Sequence, residues 1–92
     1  MTREAIFNTV RDVLLALVKN RNEPIEIRPQ TSLIRDLGLT SLTMVDLTLA
    51  LEEAFELDEF PMQAWVDQEL LRGEQGFGVA SLVESCAVLV AR

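Results

Sequence analysis

A chain of 92 residues with 15 acidic and 8 basic side chains, a formal net charge of −7, has room for one modest core and not for two. The acidic balance argues against nucleic-acid backbones and anionic membrane surfaces as partners, and a basic protein surface fits it better. With 49% apolar and 25% charged residues the chain is expected to fold, while a single cysteine excludes an intramolecular disulfide and the absence of histidine removes the commonest metal ligand and neutral-pH base.

From Arg3 to about Lys19, Ile6, Val10, Val13, Leu14 and Leu17 recur at helical spacing, with Thr2 as N-cap and Glu4 in the first turn. Between Asn20 and Arg35 the pattern breaks at Asn20, Asn22, Pro24 and Pro29, and Ile25, Ile27 and Leu33 are apolar enough to tuck beneath a long connection. Ser32 is placed to cap a single turn through Leu37, ended by Gly38, which tolerates a positive φ.

A second helix is expected from Ser41 to about Glu56, with Met44, Leu47, Leu51, Ala54 and Phe55 as its core stripe. Leu42, Val45 and Leu49 form a narrower second stripe, which reads equally as core or as exposed interface. Phe60-Pro61 reads as the start of a shorter helix with proline at its first position, with Trp65, Val66, Leu70 and Leu71 on the buried side and Gly73 at the end. Glycines 73, 76 and 78 mark a flexible connection, and Val79, Leu82, Val83, Cys86, Leu89 and Val90 share one face of a last helix.

No run alternates with period two for long enough to demand a strand. The expected fold is therefore all-α, a single domain over residues 1–92: a small four-helix bundle of three long helices and one short, with a long loop between helices one and two. The longest apolar runs, 13–18 and 87–91, are far too short to cross a bilayer, and the N-terminus lacks a signal-peptide pattern, so a cytoplasmic location is expected.

Enzymatic chemistry is poorly supplied. Carboxylates are plentiful, but none has a histidine partner or a recognised metal-ligand spacing, and no metal site is expected. Cys86 and Trp65 read as packing residues.

The segment Asp36-Leu37-Gly38-Leu39-Thr40-Ser41-Leu42, running on into Val45, Leu47, Leu51, Glu52, Glu53 and Phe55, resembles the acyl and peptidyl carrier protein family. A comparable Asp-Leu-Gly-x-Asp-Ser-Leu motif there precedes a helix ending in an acidic pair and phenylalanine. The likeness extends to helix one, the long loop and the final helix, and is weakest from Asp58 to Gly78. It implies that Ser41 receives 4'-phosphopantetheine from coenzyme A, with Asp36, Leu37, Gly38, Thr40 and Leu42 as supporting motif. The arm's thiol would carry acyl or aminoacyl groups as thioesters, and in some carriers of this kind the cargo folds back into the bundle.

Serine at a helix start is chemically compatible with that role, since free backbone amides and the helix dipole favour a phosphodiester anion by roughly 0.3–1 kcal/mol. That energy orients an arm but does not activate a hydroxyl, so a phosphopantetheinyl transferase must supply the chemistry and the chain is a substrate, not an enzyme. The plainer account of Ser41, or of Thr40, is an N-cap. The motif departs from the family pattern at Thr40, which stands where aspartate is usual and bears on which transferase recognises the chain.

Asp46, Glu52, Glu53, Glu56, Asp58 and Glu59 concentrate acid on and after helix two. Singly they read as solvated surface. Together they would steer basic partners, and the resemblance makes this helix a docking surface formed by Leu42, Val45, Asp46, Leu49, Glu52, Glu53 and Glu56. The partners it implies are the transferase, a loading enzyme and synthase or transferase enzymes with basic surfaces, which a monomeric carrier visits in turn. A second docking surface around Phe60, Trp65 and Phe77 is a further expectation. The alternative to a carrier is a carrier-like fold kept as an unmodified protein-interaction module.

Overall fold

The computed structural model describes residues 1–18 and 25–91. Its four α-helices are α1 (Arg3–Leu17), α2 (Ser41–Ala54), α3 (Met62–Leu71) and α4 (Val79–Val90), with one short 3₁₀ turn at Gly73–Gln75 between α3 and α4. The described residues form no strand. A lone antiparallel bridge joins Ser32 to Gly78. The expected all-α bundle of three longer helices and a shorter one is thus the observed architecture.

Helix α1 starts where Thr2 accepts a hydrogen bond from Ala5 N–H, 3.1 Å from Thr2 Oγ1, and buries Ile6, Val10 and Leu14 along one stripe. Those residues meet Leu47 and Leu51 of α2 and Leu82, Val83 and Cys86 of α4 in a single core. Helix α4 has the expected bounds. Helix α2 ends two residues earlier than expected, where Glu56 turns the chain away at φ 53°, and Ala54, expected in the core stripe, is exposed.

The long connection is packed down through Ile27, Leu33, Leu37 and Leu39, all buried. Asn20, Asn22 and Pro24, three of its expected breaks, lie outside the described residues. Its last part forms the expected turn. Ser32 Oγ accepts from Arg35 N–H at 3.1 Å, Asp36 Oδ2 accepts from Ser32 N–H at 2.7 Å, and Gly38 leaves the turn at φ 67°.

Helix α3 differs most from its expectation. Pro61 is the N-cap residue, one position before the helix, at φ −78° and ψ 66°. Leu70 and Leu71 are exposed, Leu71 at 89%, and the buried position one turn after Trp65 belongs to Glu69, at 1%. Residues four apart share a helix face, whereas the next two positions rotate away from it. Glu69 can be buried because Oε1 accepts from Phe77 N–H at 2.8 Å while Oε2 meets Arg72 Nε at 3.2 Å.

Candidate functional site

Ser41 is the first residue of α2 and its side chain is exposed. Capping is done by its neighbour: Thr40 Oγ1 accepts from Thr43 N–H at 3.4 Å, and Thr43 Oγ1 accepts from Thr40 N–H at 2.8 Å, a reciprocal box. The Ser41 hydroxyl makes no hydrogen bond to any described residue. Of the two hydroxyls that could have capped the helix, Thr40 does so and Ser41 is left facing solvent.

The motif residues before Ser41 aim the chain. Asp36 closes the Ser32 turn, Leu37 and Leu39 are buried anchors, and Leu39 N–H donates to Leu33 O at 3.0 Å. Between those anchors Gly38 supplies the left-handed step that brings Thr40 to the helix start. The first turn of α2 carries no acidic side chain, and no backbone bond reaches the N–H groups of Ser41 and Leu42 from a described residue. An exposed hydroxyl beside free amide donors at the positive end of a helix dipole fits a phosphodiester. Leu42, Val45 and Leu49 are exposed, Leu42 at 81%, as are Asp46, Glu53 and Glu56. The second apolar stripe is therefore surface and not core. Glu52 departs from that surface, since its Oε2 accepts from Phe60 N–H at 2.8 Å and ties the end of α2 to the start of α3.

The family description "Phosphopantetheine attachment site" matches residues 6–64. The chain belongs to this family of carrier proteins. Among curated carriers, the acyl carrier protein of Campylobacter curvus (strain 525.92) is 39% identical over 54 residues, 59% of this chain and 68% of the relative. The acyl carrier protein of Campylobacter concisus (strain 13826) matches with the same identity and coverage. No solved structure matches. A phosphopantetheine site is thus a family property of the chain, and a carrier in this family works as a partner of the enzymes that modify and load it.

A cavity of about 590 Å³ opens beside Ser41, between α2 and α3. Leu39, Met44, Val45 and Leu49 line one side and Met62, Val66 and Phe77 the other, with Thr40 and Ser41 also on its surface. An engineered hole of ~150 Å³ admits benzene, so this volume is several times what a small apolar ring requires. Sequence periodicity could not disclose it, because a cavity is a gap between elements.

Phe60 and Trp65 do not form the second docking surface expected of them. Both are buried, and Phe77 is half-buried against Trp65 with ring centroids 5.8 Å apart at 87°. Trp65 Nε1 donates to Ser81 Oγ at 3.2 Å, pinning α3 to α4. Nor is the 73–78 connection loosely held: Leu33 N–H donates to Phe77 O at 2.8 Å, and Val79 N–H to Thr31 O at 2.9 Å. The sequence signal overlooked here was Glu69, an acid one helical turn from a buried tryptophan.

Cys86 is fully buried, and burial pushes its thiol up from 9.0 to about 12, which suits packing and not nucleophilic attack. Among the described residues no cluster of His, Cys, Asp and Glu is placed to hold a metal ion, and no helix is long and apolar enough to cross a membrane.

Proposed function

We propose that this chain is a single-domain, monomeric cytoplasmic carrier in which Ser41 bears 4'-phosphopantetheine from coenzyme A and presents acyl or aminoacyl thioesters to biosynthetic enzymes. The observation that carries the reading is the division of labour at the start of α2, where Thr40 caps the helix and Ser41 keeps an exposed, unbonded hydroxyl. The chain's own part is to hold that hydroxyl out, to set the free amides of the first turn beside the phosphodiester, and to offer a recognition surface. The transferase supplies base and metal, and the carrier performs no catalysis.

Leu42, Val45 and Leu49, flanked by Asp46, Glu53 and Glu56, form that surface. Exposed ion pairs contribute about 0–1 kcal/mol each, so docking on basic enzymes is transient and weakens with salt. The cavity next to Ser41 shelters the cargo between visits.

The rival reading is an unmodified interaction module, and Thr40, standing where the family's usual aspartate would be, is its best support in the sequence. Threonine and aspartate are both good N-caps, and the capping box accounts for Thr40 without loss of the arm.

The test is intact-protein mass after incubation with coenzyme A and a broad-specificity phosphopantetheinyl transferase. One arm per chain is expected on the natural sequence and none on Ser41→Ala. A chain that never gains the arm, from cells or in vitro, refutes the assignment.

A further inference from the structure

Glu69 is the one carboxylate buried among the described residues, and the two leucines that follow it on α3 are exposed. A well-packed apolar side chain at a buried position is commonly as stabilising as a buried ion pair or more so, and stability alone therefore does not account for a glutamate there. What Glu69 does instead is hold a neighbouring connection. Its Oε2 meets Arg72 Nε at 3.2 Å, and its Oε1 accepts from Phe77 N–H at 2.8 Å. Gly76 packs so closely on the Glu69 carbonyl oxygen that a Cβ would lie 2.2 Å from it, so the chain entering Phe77 is held by both the backbone and the side chain of one residue.

From Phe77 the hydrogen bonds lead to Ser41. Phe77 O accepts from Leu33 N–H at 2.8 Å, and Leu33 O accepts from Leu39 N–H at 3.0 Å. Leu39 is followed by Thr40, the cap of α2, and then by Ser41. Two further bonds, Val79 N–H to Thr31 O at 2.9 Å and Ala80 N–H to Pro29 O at 2.8 Å, join the same two connections. The segment before α4 is thus a splint for the segment before α2. Phe77 occupies its place in the splint at φ 63°, a region that bulky side chains seldom adopt and that persists only where surrounding contacts hold it. Glu69 supplies one of those contacts, and the Trp65 ring, edge to face at 5.8 Å, supplies another.

We propose that Glu69 is a positioning residue for modification: by fixing Phe77 it holds Leu33 and Leu39, and so sets Ser41 where a transferase can engage it. The inference rests on the carrier reading above and adds to it a residue from a different helix.

The experiment uses the full chain and reads three quantities: stability in urea, amide hydrogen exchange, and the kinetics of arm transfer from coenzyme A by a broad-specificity phosphopantetheinyl transferase. In the natural chain the amides of Phe77, Leu33 and Leu39 should show similar protection, as one cooperative unit. Glu69→Met keeps the length of the side chain and removes the acceptor. It should fold, quicken exchange at those three amides and not at Val10 or Leu82, and raise the KM of the chain as transferase substrate several-fold with kcat little changed, because only molecules with the segment in place bind. Glu69→Gln, which keeps an acceptor for Phe77 N–H, should restore both the exchange and the KM. Val10→Ala, a core change in α1 away from these bonds, should lower stability without raising KM. An unchanged KM in folded Glu69→Met overturns the positioning role, as does a Glu69→Gln variant that behaves like Glu69→Met. An equal rise in KM for Val10→Ala overturns it too, since general destabilisation then explains the effect. Unequal protection of the three amides in the natural chain overturns the splint without any variant having to fold. Absence of the arm on the natural chain is a separate result, which refutes the carrier reading and with it any role of Glu69 in modification.

Discussion

Thr40 Oγ1 lies 2.8 Å from Thr43 Oγ1, and each hydroxyl also accepts a hydrogen bond from the other residue's backbone N–H. The pair closes the end of α2 around Ser41 without using it, so stability and modification should separate by residue. Thr40→Ala should cost about 1 kcal/mol in urea unfolding. Ser41→Ala should stay within about 0.5 kcal/mol. Mass measurement should show the arm retained on the first variant and lost on the second.

Leu42 and Leu47 sit five positions apart on one helix with opposite fates, the first exposed and the second fully buried in the core. Leu47→Ala should cost about 2–5 kcal/mol, the transfer of its side chain plus the cavity left behind. Leu42→Ala should change stability by no more than about 0.5 kcal/mol but slow arm transfer at subsaturating transferase. Chemical denaturation and the initial rate of modification check the two sides.

Replacing Asp46, Glu53 and Glu56 together with lysine should slow modification at low ionic strength. The natural chain's rate should fall as salt rises, because its encounter with a basic enzyme is screened, and the triple variant should show little or opposite salt dependence. Rates measured across a salt series decide this. Glu52 is left out of the set because it holds Phe60 N–H.

Gly76 is required by contact and Gly73 by conformation. A Cβ at position 76 would lie 2.2 Å from the Glu69 carbonyl oxygen, which is backbone and cannot swing aside, whereas at Gly73 there is open space but φ is +64°. Gly76→Ala should therefore destabilise by at least about 2 kcal/mol. Gly73→Ala should cost about 1 kcal/mol, the penalty for a left-handed alanine. Thermal or urea unfolding of the two variants gives the order.

Burial raises the Cys86 thiol to about 12, so the folded chain keeps a proton that the unfolded chain releases near 9.0. The stabilisation is whole below pH 9.0 and is lost as pH climbs toward about 12, at up to about 1.4 kcal/mol per pH unit. Unfolding at pH 8 and at about pH 10.5 should show a larger alkaline loss for the natural chain than for Cys86→Ala. The native thiol should also resist alkylation until the chain unfolds.

Helices α1, α2 and α4, the Ser32 turn and the exposed start of α2 were legible from local patterns. Each depends on spacing at 3.6 residues per turn, on a capping hydroxyl or on a glycine at positive φ, and such preferences act within a few residues. The Ser41 motif belongs to the same class, being contiguous. Whether Leu42, Val45 and Leu49 face solvent, that Glu69 replaces Leu70 and Leu71 in the interior, and that Phe60 and Trp65 are anchors and not a surface were settled only by packing. The gap between α2 and α3, and Phe77 as its wall, depend on partners such as Leu33, Glu69 and Trp65 that are distant in the chain or on another element. Periodicity reports which face of a helix is apolar, but a cavity and a buried carboxylate exist only once several elements converge, and that convergence is a property of the folded chain alone.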